Sequence, residues 1–480
     1  MWIMEDLKQI IENENKSKLS MMILFTSLIL ASMLLAGYYC FDYANAQTTR
    51  ATSMPPPLQS AATSSITIKD PNLKAKMIFT GLRYPSSMAF LGPNDILVLE
   101  KNAGTVRRIV NGTMLPQPLL TASVANKEER GMVGIAVAKH QSGPTYVFLY
   151  YTQSGGGKTG DDVSKGIQPA ANVLYRYEFV NNKLVNPKLL QNLPAVPGPD
   201  HNGGKMLIGP DSNLYLAIGD VGGHRTQAQN IQGGFPPDGT SGILRMTQDG
   251  KPVKGILGND FPLNLYYAYG VRNSFGLDFD PVAKNLWDAE NGPCCGDAIY
   301  LVKPGHNSGW RQITGIWRPI ANGTNEEIIG AIIPHPEKDL VDFGGKGKYS
   351  PPQFTWRNDV GPTQLRFLNS TKLGKQYQND MFVGEVNDGS LYHFKLNQTR
   401  TGLLLNNGTV PPKVVYTEQQ KQQAIFAQGF GGITDIQLGP DGYLYILTLL
   451  PGAANYSEQE SGGITGGTIY RIEPANTIVK

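Results

Sequence analysis

The sequence predicts an all-β chain, a six-bladed β-propeller of four-stranded antiparallel blades, and three observations carry that expectation. The 480 residues include 55 Gly and 33 Pro while only 17% are charged; average domains hold about 7% Gly, 5% Pro and 25% charged residues. This bias favours short strands and tight turns over long helices. One hairpin pattern, two alternating apolar strands around a Gly/Pro/Asn/Asp turn, returns six times. A shorter strand of related form follows every hairpin.

In chain order the hairpins are MAFLGPNDILVLE from Met88, MVGIAVAKHQSGPTYVFLYY from Met132 and KMLIGPDSNLYLAIGD from Lys205, then GLDFDPVAKNLWDAENG from Gly276, QLRFLNSTKLGKQYQNDMFVGEV from Gln364 and TDIQLGPDGYLYILT from Thr434. The third strands start at Gly104, Asn172, Ser241, Asp297, Gly389 and Gly467. Radial repetition of such sheets makes a propeller, whereas a pair of β-sandwiches does not require one motif six times over. The spacing, roughly 45 to 90 residues, is irregular for an array, so several blades carry insertions. Those around Gly155–Gln168, Ile313–Lys348 and Gln419–Gly432 are expected to build the substrate pocket. Propeller ligands sit at one mouth of the channel, so the chemistry is expected in loops beside the strands.

Ahead of the propeller, residues 1–18 form a polar cytoplasmic lead and residues 19–41 an uncharged apolar run long enough to cross a bilayer. Lys16 and Lys18 precede it and Asp42 follows, which places everything after it outside the cell. Ala44-Asn45-Ala46 also fits a small-residue cleavage site. The segment therefore reads as a transmembrane anchor, with a cleaved signal peptide as the alternative. Residues 42–65, rich in Pro, Ser, Thr and Ala, read as a flexible stalk, and residues 66–480 as the extracellular propeller. Sequons at Asn111, Asn322, Asn369, Asn397, Asn407 and Asn455 fit a surface glycoprotein.

Composition also excludes. Hydrophobic residues at 40% support a sizeable core, and a net charge of +3 is too weak a bias for a nucleic-acid binder. Three cysteines cannot staple the chain. Adjacent Cys294 and Cys295 have no further soft ligand nearby for a metal; they are either a vicinal disulfide or two small buried residues. The absence of a Gly-x-Ser-x-Gly elbow, a Walker loop and an HExxH motif weighs against the common hydrolase and nucleotide-binding readings.

The candidate chemistry lies in three loops. In Pro199-Asp200-His201-Asn202-Gly203-Gly204, a His suits proton removal near neutral pH, an Asp beside it could orient it, and two glycines leave room for a flat ligand. The bland alternative is a solvated loop His. In Tyr269-Gly270-Val271-Arg272-Asn273, Arg suits a two-pronged carboxylate pair and Asn both donates and accepts in one plane; the alternative is a tie between blades through carbonyls. In Glu290-Asn291-Gly292-Pro293-Cys294-Cys295-Gly296-Asp297, a Gly-Pro turn can aim two carbonyls at one point, as Ca2+ requires, with Asp297 or Glu290 adding charge; the alternative is an ordinary acidic turn. Glu128-Glu129-Arg130-Gly131 is a weaker signal, and His224, His306, His335 and His393 have no metal-ligand spacing.

From about Ala75 to Pro474 the chain resembles the glucose/sorbosone dehydrogenase family, the soluble pyrroloquinoline-quinone-dependent glucose and aldose dehydrogenases. ERGMVGIAV, DHNGGKMLIGPDSNLYLAIGD, YGVRNSFGLDFDP, WDAENGP, PGHNSGW and GPDGYLYILT occur in family order. The resemblance implies a six-bladed propeller that oxidises the C1 hydroxyl of aldoses to the lactone by hydride transfer to pyrroloquinoline quinone, passing electrons to an external acceptor. It implies His201 as general base with Asp200 behind it, and Arg272 and Asn273 on the cofactor. Glu129 and Asn291 fall where the glucose enzymes carry glutamines. Ca2+ is implied on Gly292 and Pro293, with Asp297 retained from a structural calcium site whose Glu and Tyr are here Ala298 and Ser308.

Three departures concern the cofactor. A lysine and two arginines that meet its carboxylates in the glucose enzymes correspond to Asn387, Gly432 and Thr434, and each charge-assisted bond lost is worth about 1.5–3 kcal/mol. Two other classes stand beside this one: a non-catalytic cell-surface binding propeller, which the departures favour, and a calcium-dependent lactonase-like hydrolase on a similar propeller, which needs several carboxylates converging on the metal.

Overall fold

A computed structural model describes residues 66–293, 295–316, 338–405, 413–449 and 465–475. The apolar run 19–41, the stalk, Cys294, His335, the sequons at Asn322, Asn407 and Asn455 and most of the 313–348 insertion lie outside the described residues. Among the described residues no helix is long and apolar enough to cross a membrane. Asn111 and Asn369 are exposed and Asn397 is half-buried.

The strands assemble into six sheets, an all-β propeller. From the inside outward, the first runs Pro85–Gly92, Asp95–Glu100, Thr105–Val110, Thr113–Met114, and the second Met132–Ala138, Thr145–Gln153, Ala171–Val180, Lys183–Leu193. The third begins Met206–Ile208, Leu214–Ile218, Gly242–Met246, Tyr266–Tyr269. The fourth begins Ser274–Phe279, Leu286–Glu290, Cys295–Val302, Phe354–Asn358. The fifth runs Pro362–Phe367, Met381–Glu385, Leu391–Phe394, Ile425–Gln428. The sixth runs Ile433–Leu438, Leu444–Thr448, Thr465–Pro474, Leu73–Arg83. Every predicted hairpin and third strand is therefore present.

Two features close the ring. Each innermost strand packs against those of its two neighbours, the sixth returning to the first. The outermost strand of the last sheet, Leu73–Arg83, comes from the other end of the chain and pairs antiparallel with Thr465–Pro474. The core is distributed to match, with one apolar cluster between each pair of adjacent sheets. Phe148 and Leu216 meet between the second and third, Trp287 and Val383 between the fourth and fifth, and Met88 and Leu447 between the sixth and first. A second strand lies inside its sheet and is covered on both faces. Leu214–Ile218 (LYLAI) and Leu444–Thr448 (LYILT) are accordingly buried throughout.

The expectation of uniform four-stranded antiparallel sheets needs correction. The third sheet is extended by His306–Asn307 and Lys348–Tyr349 and the fourth by Val414–Val415, all in parallel pairings, and the fifth by Thr67–Ile68. A sheet edge presents unpaired N–H and C=O groups, and long insertions returning along an outer edge can satisfy them in either direction.

Candidate active site

Loops that lead into the innermost strands, together with loops joining second and third strands, surround a cavity of about 450 Å3 at one mouth of the ring. Its walls include Glu129, Asp200, His201, Arg272, Asn273 and Gly292. Ligand pockets typically span about 300–1,000 Å3. None of the three long insertions lines it among the described residues, so the expectation that they build the pocket is not met there.

His201 stands just ahead of the strand Met206–Ile208 with φ 62°, the left-handed region that non-glycine residues rarely occupy. Its backbone N–H donates to Glu129 Oε2 at 2.7 Å, which fixes the turn. Its Nδ1 lies 2.5 Å from Oδ1 of buried Asp220, which follows the second strand of the same sheet. Asp220 also accepts from Trp310 Nε1 at 2.7 Å and from the Gly223 N–H at 3.1 Å. Burial opposes ionisation of Asp220, but these donors and the imidazole together hold it below the usual carboxylate range. An ionised Asp220 can only accept, so Nδ1 carries the ring proton and donates it in this hydrogen bond, which leaves Nε2 as the basic nitrogen.

This geometry corrects the expected role of Asp200. Asp200 is exposed at the cavity wall, and the carboxylate on the imidazole is Asp220. A signal for it was present: the two ends of a hairpin lie at the same end of a sheet, so the Gly219-Asp220 terminus of KMLIGPDSNLYLAIGD returns beside the residues that precede it. Gly219 allows the close approach. A Cβ there would stand 2.4 Å from the Arg272 carbonyl oxygen and 2.6 Å from that of His201.

Glu129 links the two principal loops. It accepts from Asn273 Nδ2 at 2.9 and 3.1 Å as well as from His201. Burial pushes Glu129 above the usual carboxyl range, with Asp200 adding to that shift and His201 opposing it. Arg272 donates its backbone N–H to Glu290 Oε1 at 2.6 Å and Nη1 to the Asn291 carbonyl at 3.1 Å, and its guanidinium lies 5.5 Å from the Trp310 ring centroid. Arg272 Nε and Asn273 Oδ1 are buried and without a hydrogen-bond partner.

The acidic turn is organised differently from the expectation. Gly292 and Pro293 line the cavity. Asp297 instead spends its carboxylate on three backbone N–H groups, Gly292 at 2.7 Å, Val360 at 2.8 Å and Gly361 at 2.9 Å. Fully buried, it holds the turn in place and is not among the cavity walls. Asn291 reaches the cavity, but its Nδ2 is directed at the Pro362 carbonyl at 2.9 Å and the Asn273 carbonyl at 3.3 Å. Among the described residues no three His, Cys, Asp or Glu side chains converge as a metal set, so the lactonase reading lacks its carboxylates there. Backbone carbonyls such as those of Gly292 and Pro293 are a separate kind of ligand.

Two further cations reach the cavity, and both are committed. Lys101 Nζ donates to the carbonyls of Glu128 at 2.6 Å and Arg130 at 2.9 Å. Lys205, on the third sheet, pairs at 3.1 Å with Asp435 on the sixth, directly across a six-sheet ring, with Ser87 Oγ at 3.4 Å. This buried ion pair joins the third and sixth sheets at the cavity wall, and burial lowers the Lys205 pKa in spite of Asp435. Asn387 and Thr434 line the cavity, while Gly432 does not.

The glucose/sorbosone dehydrogenase family profile matches residues 82–453. An aldose sugar dehydrogenase of Escherichia coli is 25% identical over 378 residues, 76% of this chain and 87% of its own length. Quinoprotein glucose dehydrogenase B of Acinetobacter calcoaceticus is 26% identical over 340 residues, 66% of this chain and 69% of its own length. The PQQ-bound aldose sugar dehydrogenase structure from Streptomyces coelicolor superimposes with a TM-score of 0.56 at 21% identity, covering 84% of this chain and 98% of that one, a likeness of fold. With the family profile spanning the innermost strands of all six sheets, this chain belongs to the glucose/sorbosone dehydrogenase family.

Proposed function

We propose that this chain is an aldose dehydrogenase that takes the C1 hydroxyl of a sugar to the lactone, with pyrroloquinoline quinone bound in the 450 Å3 cavity and Ca2+ beside the Gly292–Pro293 turn. Each of the six sheets counts as one blade in this reading. It further holds that the enzyme works outside the cell, tethered through residues 19–41, and delivers electrons to an external acceptor.

The observation that carries the reading is His201, backed by Asp220, at the wall of a cavity also lined by Arg272 and Asn273, each of which has a buried polar atom without a partner (Nε and Oδ1). Orphaned buried groups of this kind fit a polar planar ligand that supplies their missing partners. Arg272 and Asn273 would hold the quinone, and the carbonyls of Gly292 and Pro293 would hold the cation. The quinone, when bound, supplies the two-electron acceptor that no side chain of the chain provides. His201 Nε2 would take the proton of the C1 hydroxyl, while the hydride acceptor is what the bound quinone would supply. Asp220 holds the tautomer and stabilises the imidazolium that forms. Glu129 and Asn273 fix the loop that presents His201.

The test is a titration of the purified protein with the quinone and Ca2+, following dye reduction across a panel of aldoses, with His201→Ala as control. Saturable activity that vanishes in the control is expected. A folded protein that binds no quinone would overturn the reading and favour the surface-binding propeller, the positions Asn387, Gly432 and Thr434 being the reason.

A further inference from the structure

A second cavity of about 150 Å3 lies on the outer side of the loop that follows the strand Phe354–Asn358. Asp359, in that loop, borders both this cavity and the one containing His201. Trp356, Tyr416, Glu418 and Lys421 complete the walls that matter here. Glu418 and Lys421 belong to the short helix Glu418–Ala424, so the insertion around Gln419–Gly432 shapes this cavity and not the first.

The chemistry of these walls restricts the occupant. Trp356 is 1% exposed and lines the cavity as an aromatic wall. Asp359 and Glu418 are exposed acceptors. Lys421 is already matched twice, by Asp388 Oδ2 at 2.7 Å and Glu385 Oε1 at 3.3 Å, so it offers no spare charge to an anion. Tyr416, 41% exposed, adds an aromatic surface. An apolar ligand would strand the carboxylates, and an anion would meet both of them. A neutral ring bearing several hydroxyls donates to both carboxylates and rests its C–H face on the aromatic side chain of Tyr416. The volume holds on the order of five to ten waters at ~15–30 Å3 each, the scale of one sugar ring.

We propose that this cavity is a subsite for the second ring of an oligosaccharide whose reducing-end C1 lies at His201, with Asp359 between the two rings. The proposal rests on the aldose-oxidation reading above. It makes Tyr416 and Glu418 specificity-determining residues for oligosaccharides over monosaccharides. Both lie at the exposed rim, so their replacement leaves the core untouched.

The experiment compares wild type with Tyr416→Ala and Glu418→Gln in the quinone- and Ca2+-loaded enzyme. It uses glucose, maltose, cellobiose and lactose as substrates, and maltitol, cellobiitol and lactitol as non-oxidisable probes in calorimetry. The expected result is a roughly tenfold rise in KM for at least one disaccharide and in Kd for its alditol, with glucose kcat and KM unchanged. A variant that raises the KM of glucose and disaccharides equally, or alters neither disaccharide KM nor alditol Kd, overturns the subsite. Alditol binding that Tyr416→Ala abolishes, in a protein that oxidises no sugar, upholds the subsite and overturns the oxidation reading instead. Failure of wild type to bind any alditol, with glucose still oxidised, overturns the subsite alone.

Discussion

Replacing Asp220 by Asn tests the central geometric claim, that this carboxylate and not Asp200 governs His201. The perturbation is nearly isosteric, and Asn keeps an acceptor for Trp310 or Gly223, so the fold should survive. It removes the charge-assisted bond seen at 2.5 Å between Asp220 Oδ1 and His201 Nδ1. Such a bond is worth about 1.5–3 kcal/mol, which converts to a loss of about 10- to 150-fold in kcat if it acts fully in the transition state. The loss is larger if the new amide donates to Nδ1, because the ring is then held in the tautomer whose Nε2 carries the proton. The same change in a serine protease triad costs about 10^4-fold.

The assay is steady-state sugar oxidation with quinone and Ca2+ saturating, for Asp220→Asn and Asp200→Asn side by side, with thermal melts to confirm folding. The expected outcome is a kcat reduced by about 10^2–10^4 in Asp220→Asn with KM changed little, while Asp200→Asn, exposed at the wall, stays within about tenfold. Equal losses in the two variants, or a fully active Asp220→Asn, would refute the assignment.

Four other outcomes follow from the same structure. Gly219→Ala should cost at least about 100-fold in activity, since displacement of a catalytic group by about 1 Å has that effect, and the new Cβ would meet the His201 and Arg272 carbonyls; an unimpaired variant would show that the two loops are freer than they look. Lys205→Met should lower stability by about 3–5 kcal/mol by leaving Asp435 buried and unpaired, with Lys205→Met/Asp435→Asn recovering much of it in urea titrations; no recovery would rule out the ion pair as the cause. Burial, reinforced by neighbouring carboxylates for the last three, pushes Asp288 and Asp297 up to about 7, Glu290 to about 8 and Glu385 to about 9. Folded-state values above the unfolded ones mean a contribution that is complete below about pH 4 and is lost as pH rises through the folded values, so the urea midpoint of the metal-free protein should fall between about pH 5 and 9, less steeply in Glu385→Gln; a midpoint rising over that window contradicts the burial argument. Asn387→Lys should tighten quinone binding by about 10- to 150-fold, the value of one charge-assisted contact, as measured by equilibrium titration; an unchanged Kd would mean that this wall does not meet the cofactor carboxylates.

The hairpins and third strands were legible because their signal is local, apolar alternation on either side of a turn. The fourth strands were not. Phe354–Asn358 follows a long insertion, Ile425–Gln428 follows a helix, and Leu73–Arg83 pairs with a partner nearly the whole chain away, so no window of sequence contains both members. The loops behaved in the same way. His201, Glu129, Arg272, Asn273, Gly292 and Pro293 were found from residue type and come together around one cavity. Asp297 was read as a metal ligand because sequence shows a carboxylate but not the three N–H groups that occupy it. Lys205 drew no attention because its partner is 230 positions away on the opposite sheet.

That cross-channel pair also explains why the cavity can hold lysines and still offer little positive charge. In a ring of six sheets every innermost strand faces another across the axis, and a cation placed there is in reach of opposing carboxylates before any ligand arrives. Lys205 meets Asp435 in this way, and Lys101 is bound by carbonyls from the neighbouring sheet's leading loop. Glu128, Glu129, Asp200 and Asp359 line the same space. Under the proposed function, an anionic cofactor entering it would depend on Arg272 and on a cation at the Gly292–Pro293 turn to a greater degree than in a cavity with a lysine at 387 and an arginine at 434. Under the proposed function, the departures at those two positions would shift the balance of quinone binding from side-chain charge toward the charge of a bound cation, and quinone affinity would then depend on the divalent ion.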